Sequence, residues 1–506
     1  MGFRLIRCAF PGNSISPHDD CTGFWDLRLL GGPFLVPLRV FWYCGTAPAF
    51  WYWPLYWVWP SYVSARWLGV LFLAAQAGIL ARVFHMRSWV IFVCLFLFFP
   101  YAYQNIADTG PVGCTATSVI ALYAVFRRWI RTRQLRWSAV SALIVAVGVW
   151  TKLVYFWLLP GLALLWLLEC LRQREQLDRA AVRTLALQAI CTIVMLVVFL
   201  VPYLLSTDPY DKGRFIMLYV ISQSHQYPLS RFFGALWSLP TIRLLLHPLT
   251  ATHRIFEVVD HPLMSAVYSI LAFVTVPAWS VFVLFWQPAS RSLRSVALQS
   301  LTLYGCFILT VLIIAKSVEA WAMHHVILAF PFLILSALVW ADAHAALKHL
   351  PHRRNVKKTL AACGCVFAAL NVYCWAVFAL QPIRTEADWS RNDVHHVLGD
   401  EAFAARHIYV VLDYGIYFYQ ATYGPAGQAV MFREPLSAQS QIDEIHELEK
   451  NSGRTAVFVY DQKAHISTMD LLPKALVRCP SISPNAIWQI LVPPNDDRQT
   501  RCFAQQ

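Results

Sequence analysis

Residues 137–171 read WSAVSALIVAVGVWTKLVYFWLLPGLALLWLLECL. A membrane helix needs about 20 mostly apolar residues, so this stretch is too long for one span and too short for two ordinary ones. Lys152 sits near its middle. The reading that follows is a break at Lys152 and two short, tilted helices. The flanks are strongly basic: residues 127–136, RRWIRTRQLR, carry five Arg, and residues 172–183 carry Arg172, Arg174, Arg179 and Arg183.

The same texture runs through most of the chain. Of its 506 residues, 58% are hydrophobic, 15% aromatic and only 14% charged, where a soluble globular chain carries about 25% charged residues. Disorder and an ordinary soluble enzyme are both excluded. About ten apolar runs stand out, near 61–84, 88–104, 111–126, 137–151, 153–171, 184–205, 263–286, 297–315, 324–343 and 359–381. Loops of one parity hold about 17 basic residues in roughly 50 positions, and those of the other parity about 11 in roughly 130. The excess of Lys and Arg places the first set in the cytoplasm. Segments 1–60, 105–110, 206–262 and everything after about 382 are then outside, and the scarce acidic residues of the membrane part gather there. The formal charge of +13 is thus largely an orientation signal, not a nucleic-acid footprint.

Residues 1–16 are too short and polar for a signal peptide. An outer N-terminus with no preceding span therefore predicts a chain that is truncated or mis-started and lacks one N-terminal span. From about 385 the composition changes. HIYVVLDYGIYFY, QAVMF, TAVFVYD and AIWQILVPP read as strands. SAQSQIDEIHELEKN reads as an amphipathic helix capped by Ser437 or Ser440, and TMDLLPKAL as a short helix. The fold class expected is a polytopic all-α membrane protein of about ten spans, residues 1–381, followed by an extracytoplasmic α/β domain, residues 382–506. Cys479 and Cys502 lie in that domain, as a disulfide or as two unrelated thiols.

The candidate chemistry lies on the outer face. SPHDDCTGFWD, residues 16–26, sets Asp19 and Asp20 before an aromatic segment broken by Gly and Pro, which reads as interfacial helices. A carboxylate there could deprotonate an acceptor hydroxyl, or be an ordinary solvated aspartate. Asp108, in NIADTGPVG, is either a second site carboxylate or a helix N-cap before Pro111. Lys152 deep in apolar sequence must snorkel, pair or serve a function. Lys316 ends one span and His324 and His325 open the next. These cations could hold a phosphate at the outer leaflet, or could merely sit at the interface. The amphipathic RFFGALWSLPTIRLLL in 206–262 reads as a surface helix or gate.

In order along the chain, these marks resemble the GT-C superfamily of membrane glycosyltransferases, most closely the protein O-mannosyltransferase and lipid A aminoarabinose transferase-like group. The marks are the first-loop acidic pair Asp19-Asp20, the aromatic TAPAFWYWPLYW, Ala-Arg-Trp-Leu-Gly at 65–69, and Asp108 before a span ending LYAVFRR. AVGVWTKLVYFWLLPGLALL follows, with its Gly, Thr-Lys and Leu-Pro, then HHVILAFPFLIL and the outer tail. The resemblance implies a hexosyl- or pentosyltransferase of the cell inner (plasma) membrane. It would move a sugar by inversion from a polyprenyl-phosphate donor to a lipid, glycan or protein acceptor on the extracytoplasmic face. It assigns the base to Asp19 or Asp20, a second acidic role to Asp108, and the donor phosphate to Lys152 and, with less support, His324, His325 and Arg66. Departures are the Asp-Asp pair, the His-His pair and the absent first span. An oligosaccharyltransferase would add a Trp-Trp-Asp-Tyr-Gly motif and a divalent metal. Here only Leu412-Asp413-Tyr414-Gly415 remains, and His18-Asp19-Asp20 is too compact to be a metal site by itself, so a divalent metal is not indicated, and metal dependence stays open. The alternatives from other classes are a lipid-linked sugar transporter or flippase, disfavoured because no internal repeat is visible, and a non-catalytic relative.

Overall fold

The computed structural model describes residues 26–28, 35–37, 39–41, 44–45, 47–59, 62–107, 112–172, 179–205, 262–286, 289–316, 326–343, 353–380, 394, 397–412, 429–432, 439–461, 476–479 and 488–492. The chain divides into two units, Phe41–Leu380 and Met1–Val40 with Gln381–Gln506.

The larger unit is helical. Its elements are α1 (Ala47–Val58), α2 (Tyr62–Phe84), α3 (Ser88–Leu97), α4 (Phe99–Ala107), α5 (Val112–Thr132), α6 (Leu135–Thr151), a 3-10 turn (Leu153–Leu158), α7 (Leu159–Arg172) and α8 (Arg179–Leu205). After them come α9 (Pro262–Ser269), a π-turn (Ile270–Val274), α10 (Thr275–Phe285), α11 (Arg291–Lys316), a 3-10 turn (Ile327–Ala329), α12 (Phe330–Asp342) and α13 (Arg353–Leu380). Each of the ten apolar runs is occupied by these helices. Among the described residues, four helices are long and apolar enough to cross a membrane, or five if the bent pair α3–α4 counts as one, with four shorter apolar helices beside them.

That bent pair corrects the reading of 88–104 as one helix: α3 and α4 meet at 91°. Pro100 is the cause, because a proline has no N–H for the Phe96 carbonyl and its ring clashes with it. The expected break at Lys152 is present, since α6 ends at Thr151 and a 3-10 turn begins at Leu153. The aromatic segment is only partly helical. Asp26–Arg28 (β1) pairs antiparallel with Leu35–Pro37 (β2), and Arg39–Phe41 (β3) forms a second two-stranded sheet with Cys44–Gly45 (β4), so among the described residues the first helix is α1.

Lipid is as apolar as a leucine side chain, so packing and buried hydrogen bonds hold such helices together. Phe98 stacks on Phe330 at 5.5 Å, and Phe273 on Phe307 at 5.9 Å, in the centre of the unit. Ser280, Ser300 and Ser336 join α10, α11 and α12: Ser280 Oγ donates to Ser300 Oγ at 3.1 Å, and Ser336 Oγ donates to the Ser300 carbonyl at 2.9 Å.

The C-terminal unit contains α14 (Glu401–Arg406), β5 (His407–Val411), β6 (Ala429–Phe432), α15 (Gln439–Ser452), β7 (Thr455–Asp461), β8 (Val477–Arg478) and β9 (Trp488–Val492). The sheet order is β6-β5-β7-β9-β8, with β5 parallel to both β6 and β7, and β9 antiparallel to β7 and β8. Alternate residues of its strands feed opposite cores. Tyr409, Val411, Val457 and Val459 pack with Phe403 on one face, while Val410, Phe458 and Leu491 pack with Ile442 and Ile445 of α15 on the other. Asp400 caps α14, its Oδ1 accepting from Phe403 N at 2.9 Å. Ser440 lies inside α15 and is not its cap. Ser437 and residues 468–475 of the expected short helix fall outside the described residues.

Candidate functional site

Several helix ends of the larger unit converge at one place. Arg66, in the first turns of α2, donates from Nη1 to the Ile106 carbonyl at 3.0 Å. That carbonyl belongs to the last turn of α4, where four backbone acceptors lack partners within the helix. Gly69, one turn on, lies against the same element. A Cβ there would meet the Asn105 carbonyl and stand 2.7 Å from Ile106 Cα, so only glycine lets α2 and α4 approach this closely.

A buried polar network continues from this contact. Gln76 Nε2 donates to Asn105 Oδ1 at 3.2 Å and to Thr117 Oγ1 at 3.0 Å, and its Oε1 accepts from the Tyr101 hydroxyl at 2.8 Å. Asn105 Nδ2 donates to the Tyr101 carbonyl at 2.8 Å. Gln76 and Asn105 are almost fully buried. Three helices, α2, α4 and α5, are thereby fixed to one another.

The first turn of α5 meets the last of α6, with Cys114 Sγ 3.4 Å from Thr151 Oγ1. The next residue is Lys152, in extended conformation (φ −155°, ψ 123°) and only 1% exposed. Its N–H donates to the Gly148 carbonyl at 3.1 Å and its carbonyl accepts from Tyr155 N at 2.8 Å, so the backbone is held on both sides of the break. Gly148 makes room for the Tyr155 ring, since a Cβ there would lie 2.6 Å from Tyr155 Cζ. The 3-10 turn Ile327–Ala329 packs against α4, α5 and the turn Leu153–Leu158, and α1 leans on the same end through Phe50, 5.8 Å from Trp150. A buried cationic side chain is expensive unless it is paired or put to use.

Arg66 and Lys152 are thus carried to the same end of the helices. Asp19, Asp20, Asp108, His324 and His325 lie outside the described residues, as do residues 206–261. Lys316 is the last residue of α11, and its side chain is not described. Among the described residues, no group of three or more His, Cys, Asp or Glu could hold a metal ion. The sequence reading passed over Gln76, Tyr101, Asn105 and Thr117. The signal was present: Gln76 and Asn105 are amides set in apolar runs.

No family model matches the chain, and no curated protein matches it. Among solved structures it is similar to ArnT from Cupriavidus metallidurans bound to undecaprenyl phosphate, at 14% identity and a TM-score of 0.49, over 89% of this chain and 88% of that one. It is also similar to the archaeal oligosaccharyltransferase AglB from Archaeoglobus fulgidus in complex with an inhibitory peptide and a dolichol-phosphate, at 11% identity and a TM-score of 0.43, over 91% of this chain and 65% of that one. Activity has to be argued from the site itself.

Proposed function

We propose that the chain is an inverting membrane glycosyltransferase of the GT-C type, which transfers a sugar from a polyprenyl-phosphate donor to an acceptor on the extracytoplasmic face. The observation that carries this reading is the buried Lys152, set at a helix break beside the first turn of α5, at the end where the helices flanking Asp108 meet. A buried cation suits the phosphate of a lipid whose chain stays in the membrane. The basic segments 127–136 and 172–183 supply the orientation. Cys479 is disulfide-bonded, which fits an oxidising compartment for the C-terminal unit.

The chemistry asks for little. Asp19, supported by Asp20, takes the proton of the acceptor hydroxyl. The acceptor oxygen forms a bond to the anomeric carbon from the face opposite the phosphate, inverting that centre. The bond from the anomeric carbon to the phosphate oxygen breaks, and polyprenyl phosphate leaves with the electron pair. Lys152 and Arg66 stabilise the charge that grows on the departing phosphate. Asp108 is the second acidic residue of the site. A phosphate leaving group needs no strong general acid, unlike the paired carboxylates of soluble glycosidases.

Asp19→Asn, Asp20→Asn and Asp108→Asn should be assayed in detergent with labelled polyprenyl-phosphate sugars. Loss of about tenfold or more in transfer is expected for the base and for Asp108. Undiminished transfer in all three would overturn the assignment. Movement of the lipid-linked sugar across liposomes with no chemical transfer would favour a transporter instead.

A further inference from the structure

We infer that Asn371, on α13, the last helix of the larger unit, is a positioning residue for the end of α4 that meets Arg66, and acts through α4. This rests on the glycosyl-transfer reading above. Pro100 bends the chain and leaves two backbone groups without helical partners, the Phe96 carbonyl and the Phe99 N–H. Both are satisfied from α13. Trp375 Nε1 donates to the Phe96 carbonyl at 3.0 Å, and Asn371 Oδ1 accepts from Phe99 N at 2.8 Å. The two side chains are four residues apart and so share one face of α13. Asn371 is therefore an N-cap for α4 supplied by a helix more than 250 residues away, as its sequence separation of 272 from Phe99 records.

Asn371 is itself locked. The Tyr268 hydroxyl of α9 donates to its Oδ1 at 2.9 Å, its Nδ2 donates to the Phe367 carbonyl at 2.8 Å, and the residue is fully buried. At the opposite end α4 is held by Arg66 on Ile106 and by Gln76 on Asn105. A nine-residue helix gripped at both ends by side chains of other helices is a rigid strut. The residue that follows it after Ala107 is Asp108. A misplacement of about 1 Å at a reacting centre can cost about a hundredfold in rate, which is the leverage such a strut has.

The test uses the full chain in detergent, with Asn371→Leu, which removes the amide at similar size, and Asn371→Asp, which keeps the acceptor for Phe99 N–H and the Tyr268 hydroxyl. Asn371→Leu should lower kcat by about tenfold or more while changing the affinity for undecaprenyl phosphate by less than about threefold. Asn371→Asp should recover most of the lost rate. Hydrogen exchange supplies a readout without activity: amides of residues 99–107 should exchange about tenfold faster in Asn371→Leu, with α6 and α8 unchanged. Unchanged kcat, an Asp variant no better than the Leu variant, or exchange raised evenly across all helices would each overturn the inference. If Asn371→Leu does not fold, Trp375→Phe takes its place in the exchange experiment, with the same local pattern expected and the same uniform pattern contradicting it. If the unaltered chain transfers none of the sugars offered, the glycosyl-transfer reading fails by itself, and the exchange pattern still decides whether α13 holds α4.

Discussion

Cys114 Sγ and Thr151 Oγ1 lie 3.4 Å apart, both buried, and this contact fastens the start of α5 to the end of α6. Through it the start of α5 and the break that contains Lys152 become neighbours, although they are far apart in sequence. Lys152→Met, which keeps the length of the side chain and removes its charge, is expected to weaken binding of undecaprenyl phosphate by about tenfold or more. Binding measured in detergent micelles checks this, and unchanged affinity would remove Lys152 from the phosphate contacts.

Gly69→Ala is the sharpest steric probe of the same end. The added methyl would press into the Asn105 carbonyl, which is backbone and cannot rotate away. The variant is expected to lose about 1–3 kcal/mol, the usual cost of overpacking, and to transfer sugar more slowly because α4 moves. Thermal unfolding in detergent reads the first effect. A midpoint equal to that of the unaltered chain would mean that α2 and α4 do not cross this closely.

Much of this architecture is legible in the sequence, and its failures have identifiable causes. The ten apolar runs, the break at Lys152 and the strands at 407–411, 429–432, 455–461 and 488–492 follow from hydropathy, charge and alternation. The bend at Pro100 was also written in the sequence, but a window that averages hydropathy over a run cannot see one proline. The paired strands at 26–28 and 35–37 precede the dense aromatic run, with Phe34 the one aromatic between 26 and 37, and reading both stretches as one interfacial segment hid them. The partners of Asn371 and Gln76 lie beyond what any single sequence can show, since pairing across 272 positions for the first and 25 to 41 for the second is a property of packing. Their burial was foreseeable, because an amide in an apolar run must find partners.

In the C-terminal unit, the Tyr409 hydroxyl donates to the Leu398 carbonyl at 3.0 Å beneath a fully buried strand. Burial pushes its phenol well above the usual range, with Asp400 adding to the effect. The phenol thus stays neutral in the folded chain. Its contribution to stability is complete below the unfolded value of about 10 and is lost as pH rises from there toward the raised folded value. Hydrogen exchange of β5 and β7 should accelerate between pH 9 and pH 11 beyond the intrinsic chemical rate. Tyr409→Phe should remove that extra pH dependence while costing about 1–3 kcal/mol for the unpaired carbonyl. An unaltered pH profile in the variant would contradict the assignment.

Cys479 is buried and disulfide-bonded. Alkylation followed by peptide mapping should find it blocked until a reductant is added. Reduction should destabilise the C-terminal unit by about 2–5 kcal/mol. A thiol at Cys479 that reacts without reduction in protein isolated under oxidising conditions would argue against an extracytoplasmic C-terminal unit.

The central claim is that the end where α2, α4, α5 and α6 meet receives the phosphate of a lipid-linked sugar. A cryo-EM map of the chain in a lipid nanodisc with undecaprenyl phosphate tests it most directly. The account predicts phosphate density within hydrogen-bonding distance of Lys152 Nζ, with the lipid chain running into the membrane from there and Asp19 and Asp108 facing the same space. Phosphate density at the opposite end, by the arginines of 127–136, with the Lys152 end unoccupied, would contradict it.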